Sequence, residues 1–296
     1  MRIPQPPPRR HLPTWLPAAL ASSLMAGCAS TPGTAPVSAG PATFAVEVPH
    51  ITRPDGEDAA WWFRDGAAQA AARGAMAGNA RNVILFVGDG MSLPTVAAAR
   101  ILAGQRAGHS GEAHRLSWEH FPATALSRTY NTDAQTPDSA GTMTAMATGV
   151  KTRAGHISVG PAAPSGDCDA GQAAELLTLW ELAETQGLAT GVVTTTRVTH
   201  ATPATTFAHG ADRGWEFDAR MPAQVRAAGC IDFARQLVLS TVAPDVLLGG
   251  GRSFFLPSTQ ADPEYPERNG ARDDGANLID AWQRRRLGGT YVWNAT

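Results

Sequence analysis

Apolar runs alternate with segments of helical periodicity from about residue 61 onward. Residues 82–88 form a continuous apolar run rich in β-branched side chains, which is typical of a strand buried on both faces. Residues 94–105 have helical spacing, and Pro94 suits the first turn of a helix. This pattern predicts a strand followed by a helix, the repeating unit of an α/β protein.

The same alternation continues along the chain. Further strands are predicted at 125–130, 191–196, 245–248 and 291–293. Further helices are predicted at 139–148, 173–185, 232–239 and 276–285. We therefore predict an α/β fold with a largely parallel central sheet and helices on both faces. In such sheets, functional side chains gather beyond the carboxyl ends of the strands.

Composition limits the kinds of partner this protein can have. The chain has 296 residues, 43% of them hydrophobic and 17% charged, which suits one large globular domain or two small ones. Its formal net charge is −2, which excludes the basic surface of a nucleic-acid-binding protein. Partners must therefore be recognised by a specific site.

The first 28 residues have the layout of an export signal. Arg2, Arg9 and Arg10 precede a mostly apolar stretch at 12–26, and Cys28 follows small residues. This junction is typical of a bacterial lipoprotein signal, in which the cysteine is lipidated and becomes the mature N-terminus. Ordinary export is the alternative, because Met25 stands where leucine is usual and Pro13 and Pro17 interrupt the apolar stretch. That stretch is also shorter than the roughly 20 residues of a membrane-spanning helix, so a transmembrane segment is not expected.

Three segments follow from this interpretation. We expect a signal peptide at 1–28, a flexible tether and lead-in at 29–59, and the folded domain at 60–296. The protein is expected in the periplasm or outer envelope, with a lipid anchor in the membrane if Cys28 is modified. Cys168 and Cys230 would then lie in an oxidising compartment, which favours a disulfide over the alternative of two free buried thiols.

The first segment with candidate chemistry is Gly88-Asp89-Gly90, at the end of the predicted strand 82–88. A carboxylate there would be costly without a cation, and the two glycines let a ligand approach the backbone. Asp89 is therefore a candidate metal ligand, with an ordinary turn as the alternative.

The second segment is the turn that contains Asp138 and Ser139, at the start of the predicted helix 139–148. A serine at a helix N-terminus can receive a phosphate, because the free amides and the helix dipole favour an anion. The alternative is a plain helix cap, the commonest use of these two residue types.

The third segment follows the predicted strand 191–196 and contains His200, Thr202 and Arg213. Hydroxyl oxygens suit a hard cation such as Mg²⁺, and an arginine can hold a phosphate through paired hydrogen bonds. The alternatives are a capping threonine and an ordinary surface arginine.

Together, these segments closely resemble the alkaline phosphatases, above all the branch that includes the animal enzymes. The matching motifs, in the family's order and spacing, lie at 86–91, 130–135, 137–142, 193–198, 200–203, 211–213, 249–252 and 291–294. The resemblance covers roughly residues 60–296. It implies metal-dependent hydrolysis of phosphate monoesters, two zinc ions, one magnesium ion and a homodimer.

The resemblance also implies roles for individual residues. Ser139 corresponds to the nucleophile that becomes phosphoserine, and Asp89 to the carboxylate that bridges a zinc and the magnesium ion. Thr202 corresponds to a magnesium ligand, and His200 to a group that reaches the metal through water.

Further roles concern phosphate binding and structure. Arg213 corresponds to the phosphate clamp and Asp138 to the carboxylate that orients it. Cys168 and Cys230 match a disulfide of the animal-type branch. Glu264 matches one ligand of a calcium site in that branch.

The set of zinc ligands is incomplete. A catalytic zinc takes at least three protein ligands, whereas Asp89 and Ser139 are those this chain offers to one zinc, with none identifiable for the other. The resemblance places the remaining ligands beyond residue 296. We therefore expect the N-terminal part of an alkaline phosphatase, with a fold incomplete at its C-terminus and inactive alone. The alternative is a non-catalytic envelope protein that binds an anion or magnesium weakly.

Overall fold

A computed structural model describes residues 58–72, 74, 80–121 and 123–294. Its α-helices are α1 (Ala59–Ala72), α2 (Leu93–Arg106), α3 (Ser139–Thr148), α4 (Cys168–Ala173), α5 (Leu179–Thr185), α6 (Ala201–Ala204), α7 (Ala223–Ala227), α8 (Phe233–Leu239) and α9 (Leu278–Arg285). Its strands are β1 (Gly191–Arg197) and β2 (Val246–Gly250), and short 3-10 helices span Ser117–His120, Asp218–Arg220 and Arg252–Phe255. The predicted signal peptide, Cys28 and the tether as far as residue 57 lie outside the described residues.

The two strands pair in parallel, as the alternation of strands and helices predicts. Gly191 lies opposite Val246, and Val193 lies opposite Leu248. Helices α6, α7 and α8 connect β1 to β2, which is the crossover that a parallel pair requires. None of the described helices is both long and apolar enough to cross a bilayer.

Side-chain caps fix where the predicted helices begin. The side chains of Asp138, Asp232 and Asn277 each accept a hydrogen bond from a backbone amide in the first turn of α3, α8 and α9. Ser92 caps α2 in the same way. These caps satisfy amides that have no partner within the helix, and they place all four helices close to their predicted positions.

The predicted helix at 173–185 is wrong in its first half. Helix α4 ends at Ala173, and Glu175 pairs with Val159 in a β-bridge. The next helix starts only after Thr178, whose hydroxyl accepts a hydrogen bond from the Glu181 amide, while the Glu181 carboxylate accepts one from the Thr178 amide. This capping box starts a new helix and overrides the apolar periodicity that runs through the segment.

The predicted strands at 82–88, 125–130 and 291–293 are not strands in the structure. Phe86 is 88% exposed and Leu126 is 82% exposed, so these apolar segments are not buried. A strand exists only where its backbone groups pair with a neighbouring strand, and the described residues provide no such neighbour here. Hydrophobic pattern alone predicts a tendency to be buried, but not a pairing partner.

The apolar core lies around α6 and α8. Its largest buried side chains include Ile157, Phe207, Trp215 and Phe233. A disulfide between Cys168 and Cys230 joins α4 to the segment before α8 across a sequence separation of 62 residues. On a chain-entropy model, closing such a loop stabilises the fold by about 4 kcal/mol.

A fully buried arginine joins two segments of the chain, one around residue 232 and one around residue 272. The Arg272 guanidinium donates to both oxygens of Asp232 at 2.9 and 2.8 Å, and to Asp274 at 3.1 and 2.6 Å. Burial raises the pKa of Asp274, but the hydrogen bonds from Arg272 outweigh this effect and lower it to about 2. Because Asp232 also caps α8, the same network fixes the start of that helix.

Arg272→Met should therefore be strongly destabilising. The substitution leaves buried carboxylates without their counter-charge, which costs about 3–5 kcal/mol of the free energy of unfolding. Urea denaturation measures this loss. Arg268→Met is the matched control because its side chain is 73% exposed, and a loss for Arg272→Met no larger than the control's would contradict a stabilising role for the network.

Candidate active site

Asp138 is the residue around which the candidate site is built. Its Oδ1 accepts hydrogen bonds from the Gly141 amide and the Asn131 side chain, each at 3.0 Å. Its Oδ2 accepts hydrogen bonds from the Gly155 amide and from Arg213 Nη1, again at 3.0 Å. Burial raises the pKa of Asp138, but these four donors outweigh burial and hold the pKa below its usual value. The carboxylate is therefore ionised when it binds Arg213.

Ser139 is the first residue of α3 and directly follows this carboxylate. It is half-buried, and its Oγ makes no hydrogen bond to any described residue. The start of the helix packs so closely that a Cβ on Gly141 would lie 2.7 Å from Asn131 Oδ1 and 2.8 Å from the Arg153 carbonyl. The backbone of Ser139 is therefore fixed, and its Oγ has no hydrogen-bond partner among the described residues. The residue lies at the positive end of the α3 dipole.

The carboxyl end of β1 leads into the segment that carries His200 and Thr202. Thr202 Oγ1 donates to Asp89 Oδ2 at 2.9 Å, and His200 Nδ1 lies 3.9 Å from the same oxygen. His200 Nε2 accepts a hydrogen bond from Arg213 Nη2 at 3.2 Å. Burial lowers the pKa of His200, and the charge of Arg213 lowers it further; both effects favour the neutral imidazole.

The six residues singled out in the three motifs thus form one connected group. Asp89 contacts Thr202 and His200, His200 contacts Arg213, and Arg213 contacts Asp138, with Ser139 next in the chain. The sequence places these residues up to 124 positions apart in numbering, and the structure brings them together. Their chemical roles stay predictions.

Part of this group fits a magnesium ion. Asp89 and Thr202 present oxygen atoms to each other, and His200 Nδ1 is buried without a hydrogen-bond partner beside them. Magnesium is held by one or two carboxylates together with waters, so Asp89, Thr202 and a water on His200 suit it.

Zinc is a different case. A catalytic zinc takes three protein ligands, but among the described residues no three His, Cys, Asp or Glu side chains are placed to hold a metal ion. The described residues therefore do not complete a zinc site.

Glu264 does not join the connected group. Its carboxylate accepts a hydrogen bond from Arg252 Nη2 at 2.9 Å, and Arg252 also pairs with Asp262. The Glu264 side chain is 42% exposed. A calcium site needs six to eight oxygen ligands, so the role of Glu264 as one of them stays a prediction.

One buried carboxylate close to the site, Glu216, lies in none of the sequence motifs. Glu216 is 4% exposed and accepts hydrogen bonds from Arg197, Thr199 and Arg220. A glutamate between Trp215 and Phe217 in a segment of large aromatic residues is the signal that could have drawn attention to it.

Comparison with known proteins identifies the family. A model of the alkaline phosphatase family matches residues 80–296, which is well over half of the chain. The chain belongs to the alkaline phosphatase family. The resemblance carried by the sequence motifs is therefore confirmed, and with it the α/β fold class.

Individual alkaline phosphatases show the extent of the match. The alkaline phosphatase of Gadus morhua is 47% identical over 220 residues, covering 73% of this chain and 46% of that protein. The tissue-nonspecific isozyme of Felis catus is 45% identical over 222 residues, covering 73% and 42%. The solved Thermus thermophilus enzyme matches with a TM-score of 0.49 at 29% identity, covering 69% and 35%. The chain thus spans about half the length of the curated relatives it matches.

A buried contact between His209 and Glu181 joins α5 to the segment that leads to Arg213. His209 Nε2 lies 2.8 Å from Glu181 Oε1, and His209 Nδ1 lies 3.1 Å from the Ser158 carbonyl. Burial lowers the pKa of His209, but Glu181 outweighs burial and raises it above its usual value. Burial raises the pKa of Glu181, but His209 and the Thr178 amide bring it below its usual value.

These shifts predict a pH-dependent contribution to stability. The raised pKa of His209 stabilises the fold below about pH 6.5, and this contribution is lost as pH rises through the folded pKa. The lowered pKa of Glu181 stabilises it above about pH 4.3, and this contribution is lost as pH falls. The pair therefore stabilises most between these values.

His209→Gln should cost more free energy of unfolding at about pH 5.5 than at about pH 9, because the charged pair is complete only at the lower value. Urea denaturation of both proteins at each pH measures the difference. His109→Gln, at an exposed position, is the control and should change stability by less than about 0.5 kcal/mol at either pH. An equal cost for His209→Gln at both values would show that the pair is not ionised in the folded state.

Proposed function

We propose that the complete protein is a metal-dependent phosphomonoesterase that forms a phosphoserine on Ser139 and then releases inorganic phosphate. The observation that carries the proposal is the hydrogen bond from Arg213 to Asp138. Because Asp138 directly precedes Ser139, this bond holds the Arg213 guanidinium at the start of α3. Serine, helix N-terminus and arginine together suit a phosphoryl group that is attacked by the serine oxygen.

Arg213 is suited to bind the non-bridging oxygens of the phosphate. An arginine has five N–H donors, and Arg213 uses one on Asp138 and one on His200. These two hydrogen bonds fix the orientation of the guanidinium and leave three donors for phosphate oxygens. Because recognition is then directed to the phosphate, many different alcohols could serve as leaving groups, and the substrate class is phosphate monoesters in general.

The proposed reaction has two covalent steps, and water is the second reactant. A bond forms between Ser139 Oγ and phosphorus as the bond from phosphorus to the ester oxygen breaks, and the alcohol leaves with a proton. Water then attacks phosphorus, inorganic phosphate departs, and Ser139 regains its hydroxyl.

Metal binding completes the proposal. Asp89 and Thr202 would hold magnesium, with His200 contacting it through water, and bound magnesium would supply positive charge beside the phosphate site. The two zinc ions implied by the resemblance need ligands from outside the described residues. We also propose a calcium site with Glu264 as one ligand, and its other ligands would likewise come from outside the described residues.

A second candidate function rests on the missing zinc ligands. In this alternative, the protein is a non-catalytic envelope protein that binds an anion or magnesium weakly; among the described residues, no three side chains are placed to hold a zinc ion. Assay of the protein expressed from its complete coding sequence separates the two functions, because chelator-sensitive turnover of a chromogenic phosphomonoester excludes the second. We expect residues 1–296 alone to give no such turnover.

Acid quenching during turnover should trap phosphate on Ser139 in the complete protein. Ser139→Ala should abolish the trapped label and the turnover, and Arg213→Ala should lower kcat/KM by about 10²–10³-fold, because a positioned donor to the phosphate is lost. Mass spectrometry locates the label, and initial rates give kcat/KM. Ser165→Ala, on an exposed loop, is the control and should leave both unchanged. Label on another residue, or full activity in Ser139→Ala, would refute the proposed nucleophile.

We further propose that the protein is exported, lipidated at Cys28 and dimeric when complete. The disulfide between Cys168 and Cys230 supports an oxidising compartment. Mass spectrometry of the mature protein should find an N-terminus at Cys28 with the added mass of a lipid. Cys28→Ser should lack that mass, and a mature N-terminus at any other residue would contradict lipidation.

A further inference from the structure

We propose that Glu216 is a positioning residue that sets the distance between the phosphate-binding arginine and the magnesium-binding segment. The proposal deepens the proposed function and rests on it for its catalytic consequence. Glu216 lies three residues after Arg213, and its carboxylate binds the side chains of Arg197 and Thr199, which lie three residues and one residue before His200. It therefore bridges the two segments that meet in the site.

Both oxygens of the Glu216 carboxylate have two donors. Oε2 accepts from Arg197 Nε at 2.7 Å and from Thr199 Oγ1 at 2.9 Å. Oε1 accepts from Arg197 Nη2 at 2.9 Å and from Arg220 Nη1 at 2.8 Å. Glu216 is itself 4% exposed, and its pairing with Arg197 is bidentate. Such a contact fixes orientation as well as distance.

Glu216 is itself held by backbone hydrogen bonds to α8. The Ala234 amide donates to the Glu216 carbonyl at 3.2 Å, and the Phe233 amide donates to the Trp215 carbonyl at 2.9 Å. The Glu216 carboxylate therefore belongs to a fixed part of the fold. Its partners Arg197 and Thr199, on the other segment, are positioned relative to it.

The segment that Glu216 holds carries both magnesium-side residues. Arg197 ends β1, Thr199 follows two residues later, and His200 and Thr202 come directly after. His200 Nε2 must lie within reach of Arg213 Nη2, and Thr202 must lie within reach of Asp89. A displacement of the segment would lengthen both contacts, so Glu216 acts on the site through Arg197 and Thr199.

The geometry also explains why this role differs from general stabilisation. Loss of a contact that only stabilises the fold lowers the melting temperature and leaves the folded site unchanged. Loss of a contact that positions a site changes metal affinity or turnover by about 10–100-fold while the protein remains folded. The two roles are therefore separable by measurement on the folded protein.

The test compares Glu216→Gln with Glu119→Gln in the complete protein. Both positions lose a negative charge that pairs with an arginine, but Glu119 pairs with Arg100 and caps the 3-10 helix at Ser117–His120, with no contact to the site. Glu216→Gln should raise the Mg²⁺ concentration for half-maximal activity, or lower kcat, by about 10-fold or more. Glu119→Gln should change neither.

Hydrogen exchange supplies a readout that does not depend on activity. Glu216→Gln should speed amide exchange in peptides that cover residues 197–204 by about 10-fold, at a temperature where both variants are folded, while Glu119→Gln leaves those peptides unchanged. A fall in melting temperature with unchanged exchange and unchanged Mg²⁺ dependence would reduce Glu216 to a structural role and overturn the proposal. If the wild-type protein has no activity, the proposed function fails, and exchange alone then decides whether Glu216 holds the segment.

Discussion

The hydrogen bonding of Asp138 is the constraint on which the site depends. Its two oxygens accept four hydrogen bonds, from an amide in the first turn of α3, an amide of a later loop, an asparagine and Arg213. One carboxylate therefore defines where the helix begins, how Ser139 is presented and where the guanidinium lies. These three features cannot change independently, because all of them depend on the same two oxygens of Asp138.

Similar charged contacts support the rest of the described fold. Arg272 with Asp232 fixes the start of α8, and Glu181 with His209 fixes α5 against the segment that leads to Arg213. Each pair joins segments 28 or 40 residues apart and is largely buried. The described sheet has two strands, so strand pairing fixes the position of few segments. Directional hydrogen bonds between side chains fix the arrangement of the others.

Local signals in the sequence predicted the parts of the fold that local interactions form. Asp138, Asp232 and Asn277 are side-chain caps, so the helices after them begin close to where expected. The strand at 82–88 failed for the opposite reason, because pairing depends on another segment and no periodicity encodes which one. Thr178 is an intermediate case, since its capping box is local but lies within a pattern that favours a continuous helix.

The same distinction separates the candidate site residues that the motifs indicate from Glu216, which no motif indicates. Asp89, Ser139 and Arg213 lie in short motifs whose residue types are dictated by the chemistry of metals and phosphate, so they can be found without knowing the fold. Glu216 contacts no phosphate or metal in the proposed reaction, and its partners lie 17 and 19 residues earlier in the chain. Its function is to place other residues, and that function exists only once the two segments are folded together. Residues of this kind therefore follow from buried, fully hydrogen-bonded geometry and not from the motifs that they support.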